Sequence, residues 1–330
     1  MSRKEQAKKI GFVCLVLILV LVILISGLQI LESTVFREGQ VQNGAIDSVM
    51  IKRDGVEYYP RRDMTVILFM GIDELGPVRD SGSYNNTGEA DMLALLVFDE
   101  TNKQMDIVYL NRDTMVDMPA LGIGGKVAGT VNRQLALSHT FGSGLKDSCE
   151  NTKKTVSDLF CGLYIDYYIA MNMDAIPIIN DAVGGVTVTV VDDFSEVNPS
   201  ISMGETTLLG QAALDYVRVR QEIGDQKNIS RMERQKAYMQ SFLTAFRQKA
   251  NESESFVLDT YSEVSDYIVT NFTTKSMSSV WSQYSDYTLD EVLTPEGDNT
   301  LSEGYYEFIL DEAALRELTL RMFYEPKKSR

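Results

Sequence analysis

Three places in this sequence set carboxylates, amides or a guanidinium directly against the ends of strongly apolar runs. Asp73 follows TVILFMGI in the tripeptide GID, Asp91 opens DMLALLVF, and Asn111-Arg112-Asp113-Thr114 follows MDIVYL. In an open α/β sheet, ligands gather at strand ends, so boundaries of this kind can converge on one site. Two carboxylates brought together repel unless a cation or proton lies between them, and that is how Mg²⁺ sites are built. The alternative is that each residue merely caps a strand or turn. For Asp113 the two readings stand level.

A second group is basic. Arg218-Val219-Arg220 follows an apolar helical stretch and precedes Arg231, Arg234 and Gln235. Arg218 and Arg220 alternate, so an extended segment puts both on one face. Arg231 and Gln235 are four apart and share a helix face near its N-terminus, where backbone N–H groups favour anions. Guanidinium forks suit phosphate oxygens and keep their charge at any relevant pH. A solvated surface paired to Glu222 and Glu233 is the alternative, and it is the reading adopted for Arg234, which lies off the Arg231–Gln235 face. Carboxylates that can hold a cation, with arginines converging on them, make a site for a pyrophosphate ester.

The elements that must position these residues alternate between strand and helix. Thr65–Ile72, Asp91–Phe98 and Met105–Leu110 are continuous apolar runs rich in β-branched residues, as expected of strands covered on both faces. Gly76–Gly88 is rich in Gly, Ser and Asn and predicts a flexible loop. Helical patterns are expected at about Val131–Phe141 and Cys149–Phe160, followed by a strand at Tyr167–Met171. Asp174 is the expected N-cap of a helix that stops at Gly184-Gly185, before a strand at Val186–Val191. Helices follow at Leu209–Tyr216 and at Ser230–Ala250, the latter opened by a Ser230/Glu233 capping box. A last helix is expected near Asp311–Tyr324. With no repeat and no Pro- or Gly-rich linker, the fold class is α/β: one ectodomain around a central sheet.

The 330 residues carry 31 Lys and Arg against 47 Asp and Glu, a net charge of −16. That balance disfavours nucleic acid, whose binding relies on phosphate neutralisation. The charge is uneven. Asn251–Glu317 holds fifteen acidic residues against Lys275 and Arg316, whereas Gln211–Ala250 holds eight basic and four acidic ones. The arginine cluster therefore lies in a locally basic stretch, and an anionic substrate is compatible with the acidic whole.

From Ile10 to Leu31 no residue is charged. As a helix this stretch is roughly 33 Å long, enough to cross a bilayer core. Arg3, Lys4, Lys8 and Lys9 precede it, so the positive-inside rule keeps the N-terminus cytoplasmic and sends the remainder outside. The expected location is the cell membrane, single-pass, with an extracellular C-terminal domain. An uncleaved anchor is favoured over a signal peptide, because no small-x-small site follows closely. Cys149 and Cys161 fall in the exported part, where a disulfide is open either way. His139 is the only histidine. It reads as structural, which argues against a His-driven hydrolase.

The order and content of these segments resemble the LytR-CpsA-Psr family of membrane-anchored cell-wall enzymes. The matching pieces are the anchor, ILFMGID, ADMLALLVF, YLNRDTMVDMP, IDYYIAMNMDAIPIINDAVGGVTVTV, LLGQAALDYVRVR and SRMERQ. The resemblance implies a single extracytoplasmic α/β/α sandwich with a central mixed sheet and an apolar pocket for a polyprenyl chain. It also implies a phosphotransferase of the Gram-positive envelope that moves a glycopolymer from a polyprenyl-pyrophosphate carrier to peptidoglycan. Carried over by position, Asp73 and Asp91 would hold Mg²⁺ (or Mn²⁺), and Arg112, Arg218, Arg220 and Arg231 would bind the pyrophosphate. Gln235 would hydrogen-bond it, and Asp73, Asp91 and Arg112 would carry the catalysis.

The expected partners are the lipid-linked glycopolymer, the peptidoglycan acceptor and membrane lipid, with no nucleic acid. The chain then divides into a cytoplasmic basic tail (1–9), a transmembrane anchor (10–31), a stalk and lead-in (32–62), a family-like catalytic core (63–250) and an acidic C-terminal part (251–330) packed on the same domain. Two positions depart from the family pattern. Glu89 stands where an Arg is usual, and Asn228 where an Asp is often found. Glu89 favours an alternative, a weak or inactive module that binds lipid-linked polymer or regulates envelope expression. A polyprenyl-pyrophosphate hydrolase is a further alternative.

Overall fold

The computed structural model describes residues 50–327 apart from 123, 220–222, 285–286, 303–304 and most of 224–255, where 234, 237–238, 241–242, 244–246, 248–249 and 252–253 are described. The expected anchor, Arg220, Asn228, Arg231 and Gln235 lie outside the described residues. Among the described residues no helix is long and apolar enough to cross a membrane.

Strands β1 (Ile51–Arg53) and β2 (Val56–Pro60) lead into β3 (Met64–Ile72), β4 (Ala90–Asp99) and β5 (Gln104–Leu110). The hairpin of β6 (Met115–Leu121) and β7 (Val127–Gln134) follows, then α1 (Lys146–Leu159), β8 (Tyr167–Asn172) and α2 (Ala175–Ala182). Next come β9 (Val186–Val190), β10 (Gly204–Leu208), α3 (Gln211–Arg218), α4 (Phe256–Val264), β11 (Ile268–Thr270) and α5 (Thr274–Tyr284). The chain closes with β12 (Thr288–Leu293), the hairpin β13 (Gly297–Ser302) and β14 (Tyr305–Leu310), α6 (Glu312–Phe323) and β15 (Tyr324–Pro326).

The central sheet has six strands in the order β11-β8-β3-β4-β5-β12. It is mixed: β3 pairs parallel with β8 and antiparallel with β4, while β12 joins β5 in parallel. Apolar residues can run without interruption along β3 and β4 because both faces are covered. Ile67, Phe69, Ala94 and Leu96 pack under α2 and α3 with Ile179, Ala213 and Tyr216. Val66, Leu68, Met70, Leu93 and Leu95 pack under α1 and α6 with Val156, Phe160, Leu320 and Phe323. Helix–sheet–helix layering follows from that two-sided burial.

Several sequence expectations change. Val131–Gln134 belongs to β7, paired with β6 from Met115↔Gln134 onward, and only Leu135–His139 coils, as a 3-10 turn. The partner strand takes up backbone groups that a helix would have satisfied internally. Within the stretch expected to be an irregular lead-in, β1 and β2 form, and β2 pairs with β15 from the far end of the chain. Of the helix expected over Ser230–Ala250, the described residues from Arg234 to Lys249 are helical. Gly184 and Gly185 do terminate α2, at φ of 86° and 91°, left-handed backbone that favours glycine. Asp174 makes no side-chain cap on α2. Cys149 is buried, Cys161 half-buried, and both are free thiols.

Candidate functional site

Asp91 owes its place to an irregularity in the β3–β4 pair. Gly71 pairs with Met92 but Ile72 pairs with Ala90, so Asp91 is the extra residue on β4. A bulge breaks the strict alternation of a strand and re-aims one side chain. Asp73 comes directly after β3, and its N–H donates to the Glu89 carbonyl at 2.9 Å. Asp73, Glu89 and Asp91 thus cluster where the β3–β4 pair ends.

Arg112 arrives from β5, the next strand, in which Leu110 pairs with Leu93. Its Nη1 donates to Asp91 Oδ1, its Nη2 donates to Glu89 Oε2 at 2.5 Å, and its Nε lies 3.4 Å from Asp113 Oδ1. Burial works against this guanidinium's charge, but Asp91, Glu89 and Asp113 outweigh it and hold Arg112 above the ordinary arginine range. Arg218, the last residue of α3, places Nη2 2.7 Å from Asp73 Oδ1. Each predicted carboxylate therefore carries one predicted arginine. Asp73 thus meets Arg218, while Glu89, Asp91 and Asp113 gather around Arg112.

The loop from Gly76 to Gly88, expected to be flexible, is tied down at both ends. Gly76 N–H donates to Asp174 Oδ2 at 2.6 Å, and Asn172 Nδ2 donates to the Gly76 carbonyl at 2.9 Å. This is the work Asp174 does in place of capping α2. At the other end the buried Asn86 amide donates to the carbonyls of His139 (2.8 Å) and Gly142 (2.9 Å), while its Oδ1 accepts from Gly88 N–H at 2.7 Å. His139 Nδ1 sits 2.8 Å from the Gly88 carbonyl. A carbonyl only accepts, so Nδ1 carries the proton. Burial pushes the His139 pKa below its ordinary value, in keeping with a neutral structural imidazole. A Cβ on Gly88 would lie 2.9 Å from Ile72 Cγ2, so this close approach to the end of β3 requires glycine. Together these contacts fix Glu89 beside Asp73.

Arg234 is a correction. Rather than lying on a solvated surface, it is 3% exposed. Nε donates to the Tyr216 carbonyl and Nη1 to Asp192 Oδ2, each at 3.0 Å, and Nη2 donates to the Val219 carbonyl. Its guanidinium carbon lies 5.4 Å from the Phe194 ring centroid. The fork closes the exit of α3, the segment from which Arg218 reaches Asp73. A signal was present in the sequence: Arg234, Tyr238, Phe242 and Phe246 recur every four residues, and all four are buried. Asn86, Asp174 and His139, which hold the loop, had no comparable signal, because their partners are backbone groups far away in the chain.

Asp73 and Asp91 supply hard oxygen donors and Glu89 a third carboxylate nearby. Among the described residues no group of three or more His, Cys, Asp or Glu side chains is gathered closely enough to hold a metal alone. Mg²⁺ is usually bound by one or two carboxylates together with substrate phosphates. The donor set fits a cation shared with a phosphate ligand and does not form an all-protein cage.

The family model described as the LytR_cpsA_psr family matches residues 34–323. The polyisoprenyl-teichoic acid–peptidoglycan teichoic acid transferase TagU of Bacillus licheniformis is 27% identical over 274 residues, covering 82% of this chain and 81% of that one. Its namesake from Bacillus subtilis is 29% identical over 273 residues, covering 81% and 80%. The crystal structure of B. subtilis TagU superposes with a TM-score of 0.52 at 25% identity, over 82% of this chain and all of that one.

Proposed function

The chain belongs to the LytR-CpsA-Psr family, and from that premise we propose that it is a phosphotransferase moving a glycopolymer from a polyprenyl-pyrophosphate carrier onto peptidoglycan. The observation that carries this reading is the double pairing at adjacent strand ends, Asp73 with Arg218 and Asp91 with Arg112. Both arginines can exchange a carboxylate for a phosphate oxygen, and both carboxylates can then turn to a cation.

Phosphoryl transfer asks a protein mainly for positioning and charge stabilisation. An acceptor hydroxyl on the glycan attacks the sugar-linked phosphorus, the bridging P–O bond breaks, and the lipid phosphate leaves with the electron pair. The hydroxyl proton passes to solvent. Arg218, at the end of α3, would hold the pyrophosphate against the sheet edge. Arg112 would stabilise the charge that develops on the phosphoryl oxygens, with Asp113 behind its Nε. Asp73 and Asp91 would hold Mg²⁺ (or Mn²⁺), which when bound neutralises phosphate charge and orients the oxygens. Arg220, Arg231 and Gln235 complete the phosphate-binding set in this proposal. The apolar layer beside α3, where Phe194, Tyr216, Tyr238 and Phe242 gather, is the medium a polyprenyl chain requires. Residues 10–31 would anchor the domain at the outer face of the membrane, within reach of a lipid-borne donor.

Glu89 favours a second reading. It occupies one arm of Arg112, so a resting site with its arginine neutralised could bind lipid-linked polymer without turning it over. Incubating the protein with a polyprenyl-pyrophosphate-linked glycan, peptidoglycan and Mg²⁺ separates the two. Release of polyprenyl phosphate with glycan joined to peptidoglycan supports transfer, whereas lipid binding without release selects the binding module.

A further inference from the structure

Gln134 closes β7, and the pairing Met115↔Gln134 sets it across from the residue that follows Thr114. Its side chain reaches back to the turn that bears Arg112. Nε2 lies 3.1 Å from Asp113 Oδ1 and 2.7 Å from the Tyr306 carbonyl of β14. A carboxylate and a carbonyl both accept, so the amide nitrogen faces them and gives one hydrogen to each. Gln134 thereby ties the Arg112 turn to a hairpin 172 residues further along the chain.

The backbone of that turn is pinned by its neighbours. Ala136 N–H donates to the Arg112 carbonyl at 2.9 Å, and Leu135 N–H to the Thr114 carbonyl at 2.8 Å. Phe308 N–H, from β14, donates to the Asp113 carbonyl at 2.9 Å, and Asp113 N–H donates to Asn111 Oδ1 at 3.0 Å. Phe308 is buried, and Thr114 bridges to it in parallel. These bonds fix the Asp113 backbone but not its side-chain rotamer. Two groups meet its Oδ1: Gln134 Nε2, and Arg112 Nε at 3.4 Å.

Arg112 reaches Asp91 through Nη1 and Glu89 through Nη2. Those are the arms that a phosphate would take over, whereas Nε, on the third side, stays with Asp113. A planar guanidinium contacted at Nε keeps its plane and direction while the Nη arms change partners. Asp113 gives that support only while Oδ1 stays turned toward Nε. It is half-buried, so water competes for its carboxylate, and the Gln134 amide holds it in place.

We infer that Gln134 is a positioning residue for Arg112: it donates to Asp113 while resting on the Tyr306 carbonyl, and so keeps the guanidinium aimed when phosphate replaces Glu89 and Asp91. The C-terminal hairpin β13–β14 is then part of the frame of the site. The inference rests on the phosphotransfer reading for the step it serves, and on the contacts alone for the orientation of Arg112.

The test compares the full chain in neutral detergent with Gln134→Met, similar in length but without a donor, and Gln134→Lys, whose ammonium can donate to both acceptors again. Isotope labelling at arginine reports the Arg112 Nε–H, identified by its loss in Arg112→Lys. In Gln134→Met, exchange of that hydrogen with water is expected to quicken about tenfold. In the transfer reaction kcat should fall about ten- to a hundredfold, the scale of a slightly misplaced group. The donor KM should stay within about twofold, because the group acts on charge that develops in the transition state. Gln134→Lys is expected to recover most of both, with melting temperatures close to that of the wild type. Gln134→Glu, of the same size but acceptor only, repels Asp113 and should lose at least as much, so the outcome does not depend on one variant folding.

In a wild type that transfers glycan, either quantity left unchanged in Gln134→Met and Gln134→Glu overturns the inference, as does a loss that Gln134→Lys does not recover. The two claims separate. Exchange that follows the donor at position 134 in a protein that transfers nothing leaves the positioning role standing and removes the phosphotransfer reading. Transfer with kcat and exchange indifferent to Gln134 does the reverse.

Discussion

Glu89 accepts a hydrogen bond from Arg112 Nη2 at 2.5 Å, while Asp91 accepts from Nη1 of the same guanidinium. Both arms of the fork that would grip a phosphate are already occupied, so binding pyrophosphate is an exchange of partners. Glu89→Gln removes one competing charge and keeps the side chain's size. Affinity for inorganic pyrophosphate without divalent cation should rise about five- to tenfold, the scale of one partly buried ion pair. Calorimetric titration checks it, and an unchanged affinity would mean that Glu89 does not hold Arg112 back.

Arg234 organises the exit of α3 by bonding the carbonyls of Tyr216 and Val219 and the carboxylate of Asp192. Arg234→Ala strands all three in a buried setting. The expected loss is about 3 kcal/mol of unfolding free energy, read by denaturant unfolding. Because Arg218 leaves from that exit, pyrophosphate binding should weaken as well, even where the variant is folded. Arg234→Lys keeps the charge but loses the planar fork, and should recover only part of either property.

The loop that sets Glu89 beside Asp73 depends on Asn86. Asn86→Ala leaves the carbonyls of His139 and Gly142 without their donor, at a cost of about 1–3 kcal/mol. Hydrogen exchange should quicken at Gly88, whose N–H donates to the Asn86 side chain, while exchange in the central strands β3 and β8 stays slow.

Asp106 gives a dependence on pH with a definite sign. Burial, then repulsion from Asp290, Glu291 and Asp99, raises its pKa to about 6, against the hydrogen bond it accepts from Glu291 N–H. The folded chain therefore binds this proton more tightly than the unfolded one, and the stability it contributes is lost as pH rises through about 6. Asp106→Asn keeps the acceptor for Glu291 and removes the titration. The wild-type unfolding midpoint should fall relative to this variant between about pH 4 and pH 6 and run parallel to it above that. Curves parallel throughout would contradict the assignment.

Much of the site was legible because its residues interrupt strong patterns. Asp73, Asp91 and Arg112 stand at the ends of apolar runs that form β3, β4 and β5 nearly to the residue, and the structure joins them with Arg218. Elements whose partners are remote in sequence were harder to read. β2 needs β15, from the far end of the chain, before an extended conformation is worth more than coil. The Gly76–Gly88 loop looked flexible because its composition is that of a linker, yet its order comes from Asn86, His139 and Asp174 bonding to backbone groups, which no local pattern announces. Arg234 was misplaced for another reason. Its charge suggested solvent, whereas the four-residue spacing with Tyr238 and Phe242 pointed into the core.

Asp73→Asn tests the central claim most directly. The substitution keeps the shape of the side chain and weakens the contact with Arg218 that an exposed pair can lose at little cost in stability. The measurement is transfer of glycan from a polyprenyl-pyrophosphate donor to peptidoglycan in the presence of Mg²⁺, alongside the melting temperature of each protein. A phosphotransfer site at the β3–β4 end predicts that the wild type transfers glycan, while the variant melts normally but loses about a hundredfold or more in rate, the scale of removing one electrostatic element from such a site. Equal rates in the two proteins would contradict it.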